Sequence, residues 1–479
     1  MTAEIAILNK SAIALAADSA VTIQSGNQEE KTYDSADKLF ELCYHNAIGV
    51  MVYNGLSFAE VPLQTLIKRF RSETGKFEKV EDAARHFLEY LNSFGAKSPK
   101  RVKDDSIKRL VFPILDRIEK RFQSRFQQKV LEHTKQAAPP DFNALIETTL
   151  DEVIATFERI WGSRKDAQFV GGDGPADVEG FNAILAELIE AQLALANDDQ
   201  RKRLLSIAKL VLQKDLLSDG LTGIVIAGFG TNELFPTLIS FEIDGMVGNR
   251  LKYSQTNLVD IDRNGPKARV IPFAQKEMVD RFLYGLDDEI ERLITAFCTR
   301  TAPDIRKAIV DSLEYDDQAD KESFEKSVRA AEEAFVEGLR TKAFHEIRTS
   351  SQAAIDGLIE FMPKPELAKM AEALVNLTSI KKRVSRGMDT VGGPIDVAVI
   401  SQAEGFVWVK RKHYFPADLN PRYLRRVDQY AEQNKELRND EKSNIGGIGK
   451  GRRSASNKAR PRGNSKRPSA SNQRNEGRD

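Results

Sequence analysis

Residues 3–8 (AEIAIL) and 12–17 (AIALAA) are two strand-length apolar runs separated only by the polar turn Asn9-Lys10-Ser11. Runs of this length and composition, joined by three turn residues, pair as an antiparallel hairpin. The pairing fixes the start of a sheet and returns the chain so that Asp18 lies near Thr2. After a polar connection, the alternating segment Lys38-Leu39-Phe40-Glu41-Leu42 predicts a further strand that opens on a cation. A hydroxyl, an amine, a carboxylate and an ammonium are thereby expected at one end of a small sheet.

Met1 precedes a small residue, and its removal is expected to leave Thr2 as a free N-terminal threonine. Such a residue carries nucleophile and base together. Its hydroxyl attacks an amide carbonyl while its own α-amine, with an ordinary pKa of about 7.7 to 8.0, takes the proton. A buried lysine beside that amine disfavours its protonation and lowers the hydroxyl's pKa, and an aspartate holds the lysine in place. This chemistry calls for no metal, nucleotide or other cofactor.

The stretch from Thr2 to Leu42 resembles the proteasome β-type branch of the N-terminal-nucleophile hydrolases, which includes the bacterial proteasome-like peptidases. That family has a leading threonine, a strand, a turn, a strand ending in Ala-Ala-Asp or Val-Asp, then Ser-Arg-x-Thr, and later a lysine opening an apolar strand. Here the chain has Thr2, then Leu15-Ala16-Ala17-Asp18-Ser19-Ala20-Val21-Thr22, and later Lys38-Leu39. The spacing from Thr2 to Asp18 matches without a gap. Lys38 arrives a few residues late, so residues 24–37 are expected to form a lengthened loop, and Ala20 stands where the family has arginine. The resemblance implies Thr2 as nucleophile, Asp18 and Lys38 as the groups that tune it, and Thr22 as the residue that receives substrate backbone as an added strand. It also implies that Gly55, at the strand-to-helix corner after residues 45–54, offers its N–H as oxyanion donor. Taken singly, each residue has a plainer role: a threonine that permits methionine removal, a turn aspartate, an edge-strand lysine, a glycine in a tight turn, a β-branched strand residue. Only the combination in register carries the chemistry.

Further on, Ser57-Phe58-Ala59-Glu60 has the capping-box pattern ahead of the helix VPLQTLIKRF. Residues 80–214 repeat apolar positions at three and four and are expected to be almost wholly helical, a region that an ordinary proteasome-type subunit lacks. Strands return at residues 222–229, whose continuous apolar character implies burial on both faces, and at 236–245. Residues 268–275 are expected to run into the helix KEMVDRFLYGL. The family has Gly-Ser-Gly at that junction, with a serine that bonds the terminal amine; here Pro272-Phe273-Ala274 stands there, with Gln275 as a nearby polar group. Helices fill residues 287–384, and the strand PIDVAVIS with its return GFVWVKRK follows. Before that strand the family has Asp-x-x-Ser-Gly, where aspartate and serine orient the threonine amine. Asp389 matches, and Gly392 replaces the serine.

The expected fold is α+β: a four-layer αββα sandwich of the proteasome-subunit type with long helical insertions. Its parts are residues 2–79 as the first portion of the core, 80–215 as a helical insertion, 216–436 as the remainder with a second helical region, and 437–479 as a disordered basic tail. The whole chain is formally neutral, yet residues 450–479 hold ten Lys or Arg against Glu476 and Asp479, a net of +8, which leaves −8 on the rest. Such a tail cannot bury a core and is suited to polyanions. Two cysteines, Cys43 and Cys298, suggest neither a disulfide framework nor a clustered zinc site. No signal peptide or eighteen-residue apolar run occurs, and a cytoplasmic, membrane-free protein is expected.

The leading expectation is a threonine hydrolase of peptide or amide bonds, forming a homo-oligomer. No Gly-x-x-x-x-Gly-Lys-Ser/Thr loop occurs, so ATP-driven unfolding would come from a separate ATPase partner. The alternatives are a catalytically inactive proteasome-like scaffold and a nucleic-acid-associated protein acting through the tail.

Overall fold

The computed structural model describes residues 2–25, 29–133, 141–172, 174, 176–215, 217–218, 220–384, 392–416, 419–422 and 425. The fold is mixed α+β. The chain divides into two units, Met1–Lys412 and His413–Asp479, and every element named below lies in the first. In the second, the rings of Tyr414 and Phe415 meet edge-on at 4.9 Å. Asp389 and the basic tail lie outside the described residues.

The chain opens with β1 (Ala3–Asn9) and β2 (Ile13–Ala17), paired antiparallel as the hairpin expected, with Ile5 opposite Ala16. A separate ribbon follows, β3 (Val21–Ser25) with β4 (Glu29–Tyr33), where a loop was expected. Its charged second strand, EEKTY, has no apolar alternation to signal it. Then come β5 (Leu39–Glu41) and β6 (Ala47–Asn54). The capping box at residues 57–60 is not formed. Ser57 and Phe58 make a two-residue strand, β7 (Ser57–Phe58), against β8 (Val61–Pro62), and Ala59 and Glu60 turn between them at φ of 48° and 64°. Pro62 disfavours helical backbone at Val61, so α1 (Leu63–Glu73) starts only after the proline, with no side-chain cap.

Helices occupy most of the next stretch: α2 (Val80–Ala96), α3 (Lys100–His133) and α4 (Phe142–Gly162), then, after the two-residue β9 (Gln168–Phe169), α5 (Asn182–Gln192) and α6 (Asp198–Gln213). Strands resume with β10 (Thr222–Phe229) and β11 (Thr237–Val247). They continue with β12 (Arg250–Asp260), which sequence reasoning passed over, and β13 (Ala268–Ala274). Next come α7 (Glu277–Tyr284), α8 (Asp288–Asp311), α9 (Gln318–Gly338), α10 (Phe344–Ile359) and α11 (Lys364–Val384), and the hairpin β14 (Asp396–Ser401) with β15 (Gly405–Lys410) closes the unit.

Two larger sheets result, in the orders β13-β1-β2-β14-β15 and β5-β6-β10-β11-β12-β9, each antiparallel throughout. Side chains alternate across a strand, and β1 shows what each face meets. Ala6 and Leu8 join Leu15, Met51, Val225 and Leu238 in an apolar cluster shared by both sheets. Ile5 and Ile7 point the other way, against Val279 of α7 and Leu367, Leu374 and Val375 of α11. On the six-stranded sheet, Val50, Val52 and Ile224 pack against Leu66 and Ile67 of α1 and Phe87 and Leu91 of α2. Fully burying one such Leu or Ile side chain contributes about 1.5 to 3 kcal/mol, so register errors of one residue in β1 are strongly penalised.

Helices α3 to α6 build a further cluster of their own, centred on Ile107, Leu115, Ile154, Leu204 and Ile207. It joins the six-stranded sheet through Val247 and through β9, which pairs with β12 at the sheet's edge. A buried lysine makes a second attachment. Lys252 of β12 donates to the Val211 carbonyl of α6 at 2.9 Å, and its Nζ lies 3.7 Å from Asp244, whose carboxylate accepts both the N–H and the hydroxyl of Ser218.

Candidate active site

The N-terminal end of β1 and the chain just beyond β2 bring Thr2, Glu4 and Asp18 together, and the segment entering β5 adds Lys38. All four are closed off from solvent, at 3%, 1%, 1% and 1% exposure respectively. Antiparallel pairing does the positioning. Glu4 stands opposite Ala17, so the residue after β2 falls beside the residues that open β1. The Asp18 N–H donates to the Ala3 carbonyl and the Ala3 N–H returns to Asp18 Oδ1, each at 3.1 Å. On the other flank, the Gln275 N–H donates to the Thr2 carbonyl at 3.3 Å.

Asp18 is the hub. Its Oδ1 also accepts Lys38 Nζ at 2.5 Å, and its Oδ2 accepts the Gly392 N–H at 3.0 Å. Lys38 is fixed from behind, where its carbonyl accepts the Val52 N–H at 2.8 Å. The sequence-expected trio is therefore assembled around one ion pair, with the Thr2 hydroxyl reaching it through Glu4. Thr2 Oγ1 donates to Glu4 Oε2 at 3.1 Å, and Glu4 Oε1 lies 3.7 Å from Lys38 Nζ.

Sequence reasoning missed Glu4. The available signal was an acid inside an otherwise apolar strand, two residues from Thr2 and hence on the same face. Burial raises the Glu4 pKa; Lys38 opposes this, the Asp18 charge adds to it and the Thr2 hydrogen bond opposes it, leaving it pushed up to about 8. Burial thus favours the neutral form of Glu4 beside the Lys38–Asp18 pair. That balance avoids an unpaired buried charge.

The remaining candidates fall as follows. Gly55 sits just past β6, and its N–H donates to the Leu221 carbonyl at 3.3 Å. A side chain is excluded there, because a Cβ would stand 2.1 Å from Thr222 Oγ1. Thr22 lies in the β3–β4 ribbon, with its hydroxyl 3.4 Å from that of Thr32 across the strand pair. Asp389 is outside the described residues, while Gly392 contributes through its backbone, donating to Asp18 and accepting the Ser19 N–H at 3.2 Å. Ser19 Oγ donates to the Pro394 carbonyl at 2.5 Å, which ties the 392–394 segment to the site. At the junction where Pro272-Phe273-Ala274 stands, Ala274 adopts φ of 60°, the left-handed region that non-glycine residues avoid.

Among the described residues, no group of three or more His, Cys, Asp or Glu side chains converges as a metal would require, and no helix is long and apolar enough to cross a membrane. No family model matches the chain, and no curated protein matches it.

Proposed function

We propose that this protein is an N-terminal threonine hydrolase of peptide or amide bonds, acting once Met1 is removed. The observation that carries the reading is the buried Thr2-Glu4-Lys38-Asp18 cluster, in which one ion pair and one hydroxyl are held together by strand register. On this reading the Thr2 hydroxyl attacks the carbonyl carbon and its α-amine accepts the proton. Lys38 provides a fixed positive charge near the developing alkoxide, and Asp18 holds Lys38 in place. The apolar clusters on both sides of the two larger sheets support the finer fold assignment, a four-layer αββα sandwich of the N-terminal-nucleophile type. The β3–β4 ribbon, a separate two-stranded sheet among the described residues that carries Thr22, supports an extended peptide as substrate.

A second reading, a non-catalytic assembly subunit of the same fold, is favoured by the Gly55 N–H being engaged with Leu221 and by the 3% exposure of Thr2. Intact-mass measurement and a threonine-directed covalent inhibitor separate the two. Loss of Met1 together with labelling of wild type but not Thr2→Ala is expected for the hydrolase. Retained Met1, or no labelling, removes it in favour of the scaffold.

A further inference from the structure

Glu4 touches both groups on which the proposed reaction depends. Its Oε2 accepts the Thr2 hydroxyl, and its Oε1, buried and 3.7 Å from Lys38 Nζ, makes no hydrogen bond among the described residues. A fully buried carboxyl with one oxygen left without a hydrogen bond is costly. The apolar residues that follow on the same face of β1, Ala6 and Leu8, show what the space between the sheets otherwise accepts. Glu4 is also paired in register with Phe273, the position where the resembled family carries its amine-bonding serine. The hydroxyl missing from β13 is thus matched by a carboxyl on the strand beside it.

We propose that Glu4, in place of the α-amine invoked above, is the general base for the Thr2 hydroxyl, working from inside the sheet; the proposal rests on Thr2 being the nucleophile. As Thr2 Oγ bonds to the amide carbonyl carbon, its proton passes to Glu4 Oε2 and the carbonyl electron pair moves onto oxygen. Collapse of that intermediate breaks the C–N bond, and the proton held by Glu4 leaves with the amine. Water then attacks the Thr2 ester, gives a proton to Glu4, and the threonine hydroxyl is restored as that proton returns to Oγ.

The charged and titratable groups facing Glu4 are Lys38, Asp18, Tyr53 and the α-amine that opens the chain, whose charge lowers the Glu4 pKa. Burial raises the Tyr53 phenol, which is bonded to Glu242 at 3.1 Å. With the Glu4 pKa raised by burial, its basic form grows as the pH rises.

The test is the rate at which a β-lactone acylates Thr2, followed by intact mass and peptide mapping from pH 6 to 9 on the full chain with Met1 removed. At pH 8, Glu4→Gln is expected to label at least about tenfold more slowly than wild type, with a shallower rise with pH. Glu4→Asp, which keeps the acid one methylene shorter, is expected to fall between them and carries the comparison if Glu4→Gln does not fold. Glu4→Gln labelling at the wild-type rate and pH profile, or Glu4→Asp labelling no faster than a folded Glu4→Gln, overturns the role of Glu4 alone. Absence of labelling in wild type at every pH overturns the Thr2 reading and this one with it.

Discussion

The buried carboxyl of Glu4 ties the stability of the fold to pH in a direction opposite to that of most acids. In the folded state its pKa is raised to about 8 from an ordinary 4.5, chiefly by burial. The folded form therefore binds this proton more tightly than the unfolded chain does. Below about pH 4.5 both states hold the proton and the full contribution is present. Between 4.5 and 8 unfolding releases it, so stability falls as pH rises, and above 8 the loss is complete. At about 1.4 kcal/mol per pH unit, the window is worth up to about 5 kcal/mol. Glu4→Gln keeps the shape of the neutral acid but cannot ionise, so it removes this slope. Urea unfolding at pH 5 and pH 8, followed by tryptophan fluorescence, measures it as the difference between wild type and variant. Other acids titrate in both proteins, including Asp280, which burial pushes up to about 6, and they cancel in that difference. Stabilities of wild type and Glu4→Gln that change in parallel from pH 5 to 8 would refute the reasoning.

Further outcomes follow from neighbouring features. Lys38→Met leaves Asp18 buried without its cation, and loss of one partner of a buried pair costs about 3 to 5 kcal/mol. The lower end is expected, because the Ala3 and Gly392 N–H groups still reach Asp18; an unfolding free energy within 1 kcal/mol of wild type, on the order of an exposed pair, would contradict it. Gly55→Ala drives a Cβ toward the Thr222 hydroxyl, and overpacking at such a site costs about 1 to 3 kcal/mol, seen as a lower denaturation midpoint; an unchanged midpoint would show that Thr222 yields freely. Lys252→Met is expected to be more damaging alone than with Asp244→Asn, by roughly 1 to 3 kcal/mol of coupling in a double-mutant cycle, and strict additivity would deny that the pair acts as a unit. Removal of residues 450–479 is expected to abolish salt-sensitive binding to heparin or nucleic acid; undiminished binding excludes the tail as its source.

What could be foreseen followed burial. Strands such as β1, β2, β6, β10, β11 and β14 announce themselves because they are buried on both faces and so are apolar nearly throughout. The β3–β4 ribbon and β12 do not, since EEKTY, in which Thr32 and Tyr33 are exposed, and RLKYSQTNLVD, which is partly exposed, carry no such pattern. Helix α1 shows a different limit. Its expected cap had the correct residue types, but Pro62 and two left-handed turn residues took precedence over local propensity. At the site, Thr2, Asp18 and Lys38 were legible as types at a spacing. Glu4 was not, because an acid in an apolar run acquires meaning only when register gives it neighbours, and the engagement of the Gly55 N–H depends on Leu221, far along the chain.

The buried lysine of β12 has a consequence for anyone wishing to trim the molecule. Excising α3 to α6 as a module, with a short linker in their place, would uncover the apolar side of that sheet edge. It would also strand Lys252 without the Val211 carbonyl, in surroundings built for a helix. A minimal core therefore requires compensating surgery at Lys252, Asp244 and Val247, and the helical block is better regarded as grafted tissue sharing a blood supply than as a detachable cap.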